Sequence, residues 1–266
     1  MIAPDIDSLV ARLRAAGCVF AEDEAALLTA AAASPDELEA LVTRRVSGVP
    51  LEHLLGWAEF RGLRVAVAPG VFVSRRRTEF LVEQALARAD TEAAVVVDLC
   101  CGCGALGLAT ATELAAAGVR VEVVASDIEP AAVACAARNL ASFGARVFEG
   151  DLFTPLPPDL AGRVTLLLAN TPYVPSAMIA QMPPEARDHE PHTALDGGSD
   201  GLDIVRRVAA EAPRWLAPGG HLFVEAGAAQ APVAAAVFAE CGLTPTIAES
   251  EDGYATVVIG TRSAAA

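Results

Sequence analysis

Apolar residues recur at helical spacing near the start of the chain. Leu9, Val10 and Leu13 share one face of a first helix, the apolar stretch 25–33 gives a second, and Leu38, Leu41 and Val42 give a third. Ser34 is placed to cap the third helix ahead of Pro35, whose missing N–H is harmless at the first helical position. The pattern then changes. Phe60, Leu63, Val65 and Val67 precede Pro69-Gly70, and Val71, Phe72 and Val73 follow it. That spacing predicts a hairpin around Pro69-Gly70 and a joint between two units. The chain thus divides into a helical unit over 1–57, a hairpin and linker over 58–78, and a larger domain over 79–266.

From residue 95 short β-branched runs alternate with longer helical ones. Strands are expected over 95–97, 121–124, 146–148 and 164–168, with helices over 105–117 and 130–140 between the first three. A helix over 202–216 is expected to end before Pro218-Gly219-Gly220, ahead of a strand over 221–224. Two last strands fall near 244–248 and 256–259. Strands alternating with helices predict an α/β fold with a mostly parallel, doubly wound sheet.

Composition narrows the setting. Hydrophobic residues make up 53% of 266, enough for a substantial core, and all 19 basic residues are Arg. A net charge of -15 argues against broad attraction to nucleic acid or an anionic membrane. Met1-Ile2-Ala3-Pro4-Asp5 lacks the basic start of a signal peptide, and no apolar run approaches the roughly 18 residues of a membrane span. A soluble, cytoplasmic, monomeric protein is the expectation. Cys18, Cys100, Cys101, Cys103, Cys135 and Cys241 show no paired spacing, so reduced thiols are expected rather than disulfides or a zinc site.

Candidate chemistry begins where the first strand ends. Asp98-Leu99-Cys100-Cys101-Gly102-Cys103-Gly104 opens the next helix, where glycines admit a ligand and free N–H groups face it. Asp127 ends the second strand and suits two ribose hydroxyls; Asp151, after the third, suits an adenine amino group. Gly102, Gly104 and Gly107 also satisfy the dinucleotide fingerprint. Asp98 favours S-adenosylmethionine instead, because its carboxylate suits an ammonium group and would repel a pyrophosphate.

The fourth strand ends at Asn170-Thr171-Pro172-Tyr173. An amide nitrogen is a poor nucleophile, since its lone pair is delocalised into the carbonyl. Acceptors that take its two N–H groups can aim it at a methyl group. The Asn170 side-chain oxygen and the Thr171 carbonyl suit that task, Pro172 restricts Thr171 to extended backbone, and Tyr173 offers a flat face.

Together these residues resemble the protein-glutamine N5-methyltransferases, the release-factor methyltransferases. Ser47-Gly48-Val49-Pro50-Leu51-Glu52-His53-Leu54-Leu55-Gly56 with Glu59-Phe60 is similar to the family's entry segment. Gly150-Asp151-Leu152-Phe153, the stretch Pro183 to Pro191, and Ala194-Leu195-Asp196-Gly197-Gly198 are similar to later signatures. The resemblance implies a helical N-terminal domain, a hairpin and a class I methyltransferase (Rossmann-like) fold, with S-adenosylmethionine as cofactor. Its well-known members methylate the glutamine of a Gly-Gly-Gln loop in peptide-chain release factors. By motif match, Cys100, Cys101, Gly102, Cys103, Gly104, Asp127, Leu152 and Asn170 would contact the cofactor, and Asn170 to Tyr173 would receive the glutamine. Three departures stand out: Thr171 replaces the family's first proline, Cys100 replaces a glycine, and Ser74-Arg75-Arg76-Arg77-Thr78-Glu79 stands for Pro-Arg-Pro-Glu-Thr-Glu.

Other readings compete. Enzymes acting on an exocyclic amine of a nucleic-acid base share the Asn-x-Pro-Tyr device, but should carry a basic, aromatic face; this chain is acidic and 5% aromatic. A non-catalytic cofactor-binding protein would use Cys100 and Thr171 as marks of lost activity. Gly197-x-Ser199-x-Gly201 matches a nucleophile elbow without the strand it needs. His189, Glu190 and His192 are interrupted by Pro191, so no metal is expected. Arg75-Arg76-Arg77 reads as a solvated basic patch or as a contact for an acidic group on a substrate.

Overall fold

The computed structural model describes residues 6–264, so the leaderless reading of Met1 to Asp5 lies outside the described residues. Four helices come first: α1 (Ile6–Ala15), α2 (Ala21–Ala31), α3 (Pro35–Val46) and the short α4 (Leu51–Leu55). Leu9, Leu13, Leu28, Leu38 and Val42 meet in a core of their own. The Ser34 side chain accepts the Glu37 amide, while the Glu37 carboxylate reaches back to accept the Ala33 amide, a reciprocal cap at the start of α3. Arg45 is buried against Glu24 at 2.6 and 3.1 Å, and its other nitrogen reaches Glu185 of the larger domain at 3.1 Å.

The hairpin is real but turns elsewhere. Strands β1 (Trp57–Phe60) and β2 (Leu63–Ala66) are joined at Arg61-Gly62, both left-handed (φ 49° and 71°), the backbone that matches the twist of paired strands. Pro69-Gly70 makes a separate turn, and Val71 and Val73 pack into the core without joining a strand.

Helix α5 (Glu79–Leu86) leads into the sheet through β3 (Ala93–Leu99), α6 (Ala105–Ala116), β4 (Arg120–Asp127), α7 (Pro130–Asn139) and β5 (Arg146–Glu149). Then follow β6 (Val164–Ala169), α8 (Pro184–His189), α9 (Asp203–Trp215), β7 (Leu216–Glu225), α10 (Ala231–Glu240), β8 (Leu243–Glu249) and β9 (Thr256–Arg262). The seven-stranded order is β5-β4-β3-β6-β7-β9-β8, parallel from β5 to β7, with β9 antiparallel to both its neighbours. Two differences from the sequence reading concern β7 and α10. Pro218-Gly219-Gly220 lies inside β7, at the register shift against β6, rather than ahead of it. Helix α10 is apolar on every side, Ala-rich, and carries no period to read.

The central strands alternate between two cores. Val97, Leu99 and Leu167 face α9 and α10, while Val96, Leu166 and Leu168 face α5, α6 and the hairpin. Burial on both faces explains their unbroken aliphatic runs. Register then positions the site: Leu99 stands beside Ser126 and Ala169, so Cys100, Asp127 and Asn170 leave the parallel sheet at one height. Ligands bind at this carboxyl edge in doubly wound sheets. Among the described residues no helix is long and apolar enough to cross a membrane.

Candidate active site

The turn after β3 is held by Asp98, which is wholly buried. One of its carboxylate oxygens accepts the Gly107 amide at 2.9 Å and the other has no protein partner. A side chain at Gly107 would press on this carboxylate at 3.1 Å, which explains the glycine one turn into α6. Burial pushes the Asp98 carboxyl up to about 8. Asp98 therefore braces the turn from behind.

The thiols part company. Cys101 packs among Ala111, Ala125 and Leu140, and Cys103 packs beside the hairpin with its sulfur 3.6 Å from the Ser74 hydroxyl. Gly104, in left-handed backbone, lies so close to α7 that a side chain would meet Ala136 at 3.1 Å. These three and Asp98 stay out of the cavity wall. Cys100 reaches it, in a left-handed conformation (φ 52°) that favours the glycine it replaces. Burial raises all three thiols of the turn, which favours their protonated form.

A cavity of about 1170 Å³, counted out to its open mouth, lies against the carboxyl edge of the sheet. Cys100, Gly102, Asp127, Asp151, Leu152 and Asn170 share its wall, and Thr171, Pro172 and Tyr173 continue it. Asp127 accepts the Gly102 amide at 2.8 Å and the Glu129 amide at 3.0 Å, one on each oxygen, so each oxygen keeps capacity for a ligand donor. Burial raises its carboxyl above the ordinary aspartate range. Asp151 is paired with Arg207 at 2.5 Å. The side-chain oxygen of Asn170 is buried without a partner, a satisfiable acceptor at the join of sheet and cavity. The Asp127 carboxylate over a glycine turn, the outer carboxylate of Asp151 and this free acceptor fit a nucleoside cofactor with an amino-acid arm.

The Asn170 segment is clamped from the far side. The Val174 amide donates to the Leu195 carbonyl and the Gly197 amide to the Val174 carbonyl, at 3.0 and 2.9 Å. Gln230 donates to the Tyr173 carbonyl at 2.9 Å. Ala194 to Leu202 is thus a bracket for Asn170-Tyr173. Ser199 is exposed in a loop without a preceding strand, as an elbow would require. Asp200, rather than Ser199, accepts the Leu202 amide at 3.1 Å.

A second cavity adjoins the first, sharing Phe72, Tyr173 and Ala194 with it. Here the basic run corrects the patch reading. Arg75 binds Glu190 at 2.6 and 2.7 Å with its guanidinium over the Phe72 ring, and Arg77 binds Glu225 at 2.7 Å and the Tyr173 hydroxyl. Arg76 alone is exposed. Glu190 is committed to this pair, and among the described residues no cluster of three metal-ligating side chains occurs. Phe72, Ile204 and Arg207 were not singled out from sequence; Ile204 and Arg207 carried a signal only as neighbours on one face of α9.

Residues 62–181 match the Methyltransferase small domain family. The chain is 42% identical over 234 residues to the release factor glutamine methyltransferase of Geobacter sulfurreducens, covering 86% of this chain and 80% of that protein. The enzyme of the same name from Mycolicibacterium smegmatis is 39% identical over 237 residues, covering 83% and 82%. A 4-amino-L-phenylalanine/4-methylamino-L-phenylalanine methyltransferase of Streptomyces pristinaespiralis is 37% identical over 207 residues, covering 76% and 69%. In fold the chain is similar to a methyltransferase from Pyrococcus furiosus, with TM-score 0.56 and 14% identity over 76% of this chain and 90% of that one. With a class I fold, a cavity at the carboxyl edge of its sheet and this identity over most of its length, the chain belongs to the release factor glutamine methyltransferase family of S-adenosylmethionine-dependent enzymes.

Proposed function

We propose that this chain methylates the side-chain amide nitrogen of a glutamine in the Gly-Gly-Gln loop of a peptide-chain release factor. The observation that carries the reading is the buried, unpartnered Asn170 oxygen in the same short segment as Tyr173, one of the residues common to both cavities. In this reading Asp127 binds the ribose hydroxyls and Asp151 the adenine amino group, over a turn formed by Cys100 and Gly102 with Leu152 beside them. Asp98, Cys101, Cys103 and Gly104 shape that turn from behind.

The cofactor, when bound, supplies an electrophilic methyl group on a sulfonium. The Asn170 side-chain oxygen accepts one amide N–H and the Thr171 carbonyl the other. Tyr173 lies against the amide plane and limits its rotation. Transfer would break the carbon–sulfur bond as the nitrogen–carbon bond forms, and the proton given up by the nitrogen would pass to solvent water. Orientation supplies most of the acceleration, and no strong base is required. The same proposal makes the chain a monomeric enzyme acting on a protein partner in the cytoplasm, where release factors work.

The Streptomyces pristinaespiralis relative supports a second reading, in which the acceptor is the conjugated amine of a small aromatic amino acid. One assay separates the two. Labelled methyl from S-adenosylmethionine is expected to enter a purified release factor and to be lost with its Gln→Ala loop variant or with Asn170→Ala enzyme. Label on 4-amino-L-phenylalanine and none on the factor would reverse the order of the readings.

A further inference from the structure

We propose that Arg77 is a positioning residue that sets the Tyr173 ring as the wall of the acceptor cavity, with Glu225 holding Arg77 from behind. The inference rests on the glutamine reading and adds to it a residue that the family pattern, with its glutamate at this place, does not supply.

Glu225 ends β7 in register beside the end of β6, so its carboxylate is fixed to the sheet at the edge from which Asn170 departs. Its side chain is only 5% exposed. One of its oxygens takes the Arg77 Nε–H at 2.7 Å. The guanidinium fork then turns its Nη2 to the Tyr173 hydroxyl, with its carbon 5.6 Å from the ring centroid. The rigid fork of arginine can serve two partners in one plane, which the flexible ammonium of lysine cannot. Gln230 holds the Tyr173 carbonyl, so the residue is tied at both its main chain and its phenol. A ring with both ends tied keeps one tilt. Arg77 has no acceptor atom, so the phenol hydrogen points away from it and the phenol oxygen faces it. Arg77 and Tyr173 line the acceptor cavity together.

The test combines a double-mutant cycle with a substrate-free readout. With cofactor saturating, Tyr173→Phe and Arg77→Lys are each expected to raise KM for the release factor by roughly tenfold, the scale of a lost charge-assisted hydrogen bond. Cofactor affinity of Arg77→Lys by calorimetry should hold, because Arg77 stands outside the cofactor cavity, and Arg77→Lys should add nothing once Tyr173 is Phe. Additive effects, or an unchanged KM in folded Arg77→Lys enzyme, would overturn the proposal. Arg77→Gln with Glu225→Gln removes both charges, so no buried carboxylate is stranded if a single variant folds poorly; it too should raise KM.

The chain has two tyrosines, and Tyr254 is 69% exposed. In a Tyr254→Phe background, ultraviolet titration therefore reads Tyr173 alone, whose charged neighbours are Arg77, Arg75 and Glu225. Arg77→Gln is expected to move this titration to higher pH, and an unmoved curve would overturn the contact. A moved curve without transfer to the release factor by wild-type enzyme would instead sink the glutamine reading and leave the Arg77–Tyr173 contact standing.

Discussion

Arg207 and Asp151 meet at 2.5 Å across the mouth of the cofactor cavity, so α9 reaches over to the loop that follows β5. Both side chains are about half exposed, at 49% and 46%, and a pair so solvated contributes less than about 1 kcal/mol to folding. Its consequence lies in ligand binding, because the guanidinium takes an oxygen that an adenine amino group would also use.

Arg207→Ala is expected to leave thermal stability almost unchanged and to tighten cofactor binding by up to about fivefold, the scale of an exposed ion pair. Asp151→Asn should weaken it by roughly tenfold. Calorimetric titration measures both, and weaker binding in Arg207→Ala would show that the arginine holds the cofactor rather than competing with it.

Asp98 gives the protein a pH signature. Its carboxyl is pushed up to about 8 by burial, so the folded state holds this proton more tightly than the unfolded one. The favourable contribution is complete below the ordinary aspartate value near about 4 and is lost as pH rises through about 8. Asp98→Asn keeps an acceptor for the Gly107 amide and cannot ionise. Urea unfolding of the ligand-free protein at several pH values should therefore decline less steeply in the variant across that window. Parallel declines would contradict the assignment.

Gly201 touches the acceptor segment directly. A side chain there would fall 2.2 Å from the Tyr173 carbonyl, on a backbone with φ of 79°. Gly201→Ala should lower kcat by about 100-fold by displacing the acceptor residues, with the fold retained. Gly219 shares that backbone angle but faces open space, so Gly219→Ala should cost about 1–2 kcal/mol of stability and no activity. Steady-state rates of the two variants make the comparison.

The Thr171 hydroxyl is buried without a partner, and the proposed chemistry uses only the carbonyl of this residue. Thr171→Val keeps the shape and removes a stranded polar group. It should stabilise the protein by about 1 kcal/mol and leave kcat near the wild-type value, as measured by thermal unfolding and methyl transfer.

Arg45 joins the helical unit to Glu185 of the acceptor cavity while neutralising buried Glu24. Arg45→Met strands that carboxylate and should cost about 3–5 kcal/mol in chemical denaturation. Adding Glu24→Gln should recover most of the loss.

The doubly wound sheet was legible because its strands are buried on both faces, so Val95–Val97 and Leu166–Leu168 are unbroken aliphatic runs between helical ones. The Ser34 cap was legible for the same kind of local reason. Asn170-Thr171-Pro172-Tyr173 and Asp127 were legible because glycine turns and strand ends fix where such residues emerge. Helix α10 was not, since an Ala-rich segment with apolar residues on its exposed side as well as its buried one shows no period, and neither was the Arg61-Gly62 turn, which an arginine in left-handed backbone disguises.

Sequence by itself determined which residues stand at the carboxyl edge of the sheet, because strand order of events along the chain and the local turn chemistry set that. Only the tertiary structure decided which way their side chains face. It turned Asp98, Cys101 and Cys103 inward as packing behind the turn, and it paired Arg75 with Glu190 and Arg77 with Glu225 across 115 and 148 residues of chain. Burial and ion pairing between distant segments depend on the whole packed core, and no local spacing encodes them.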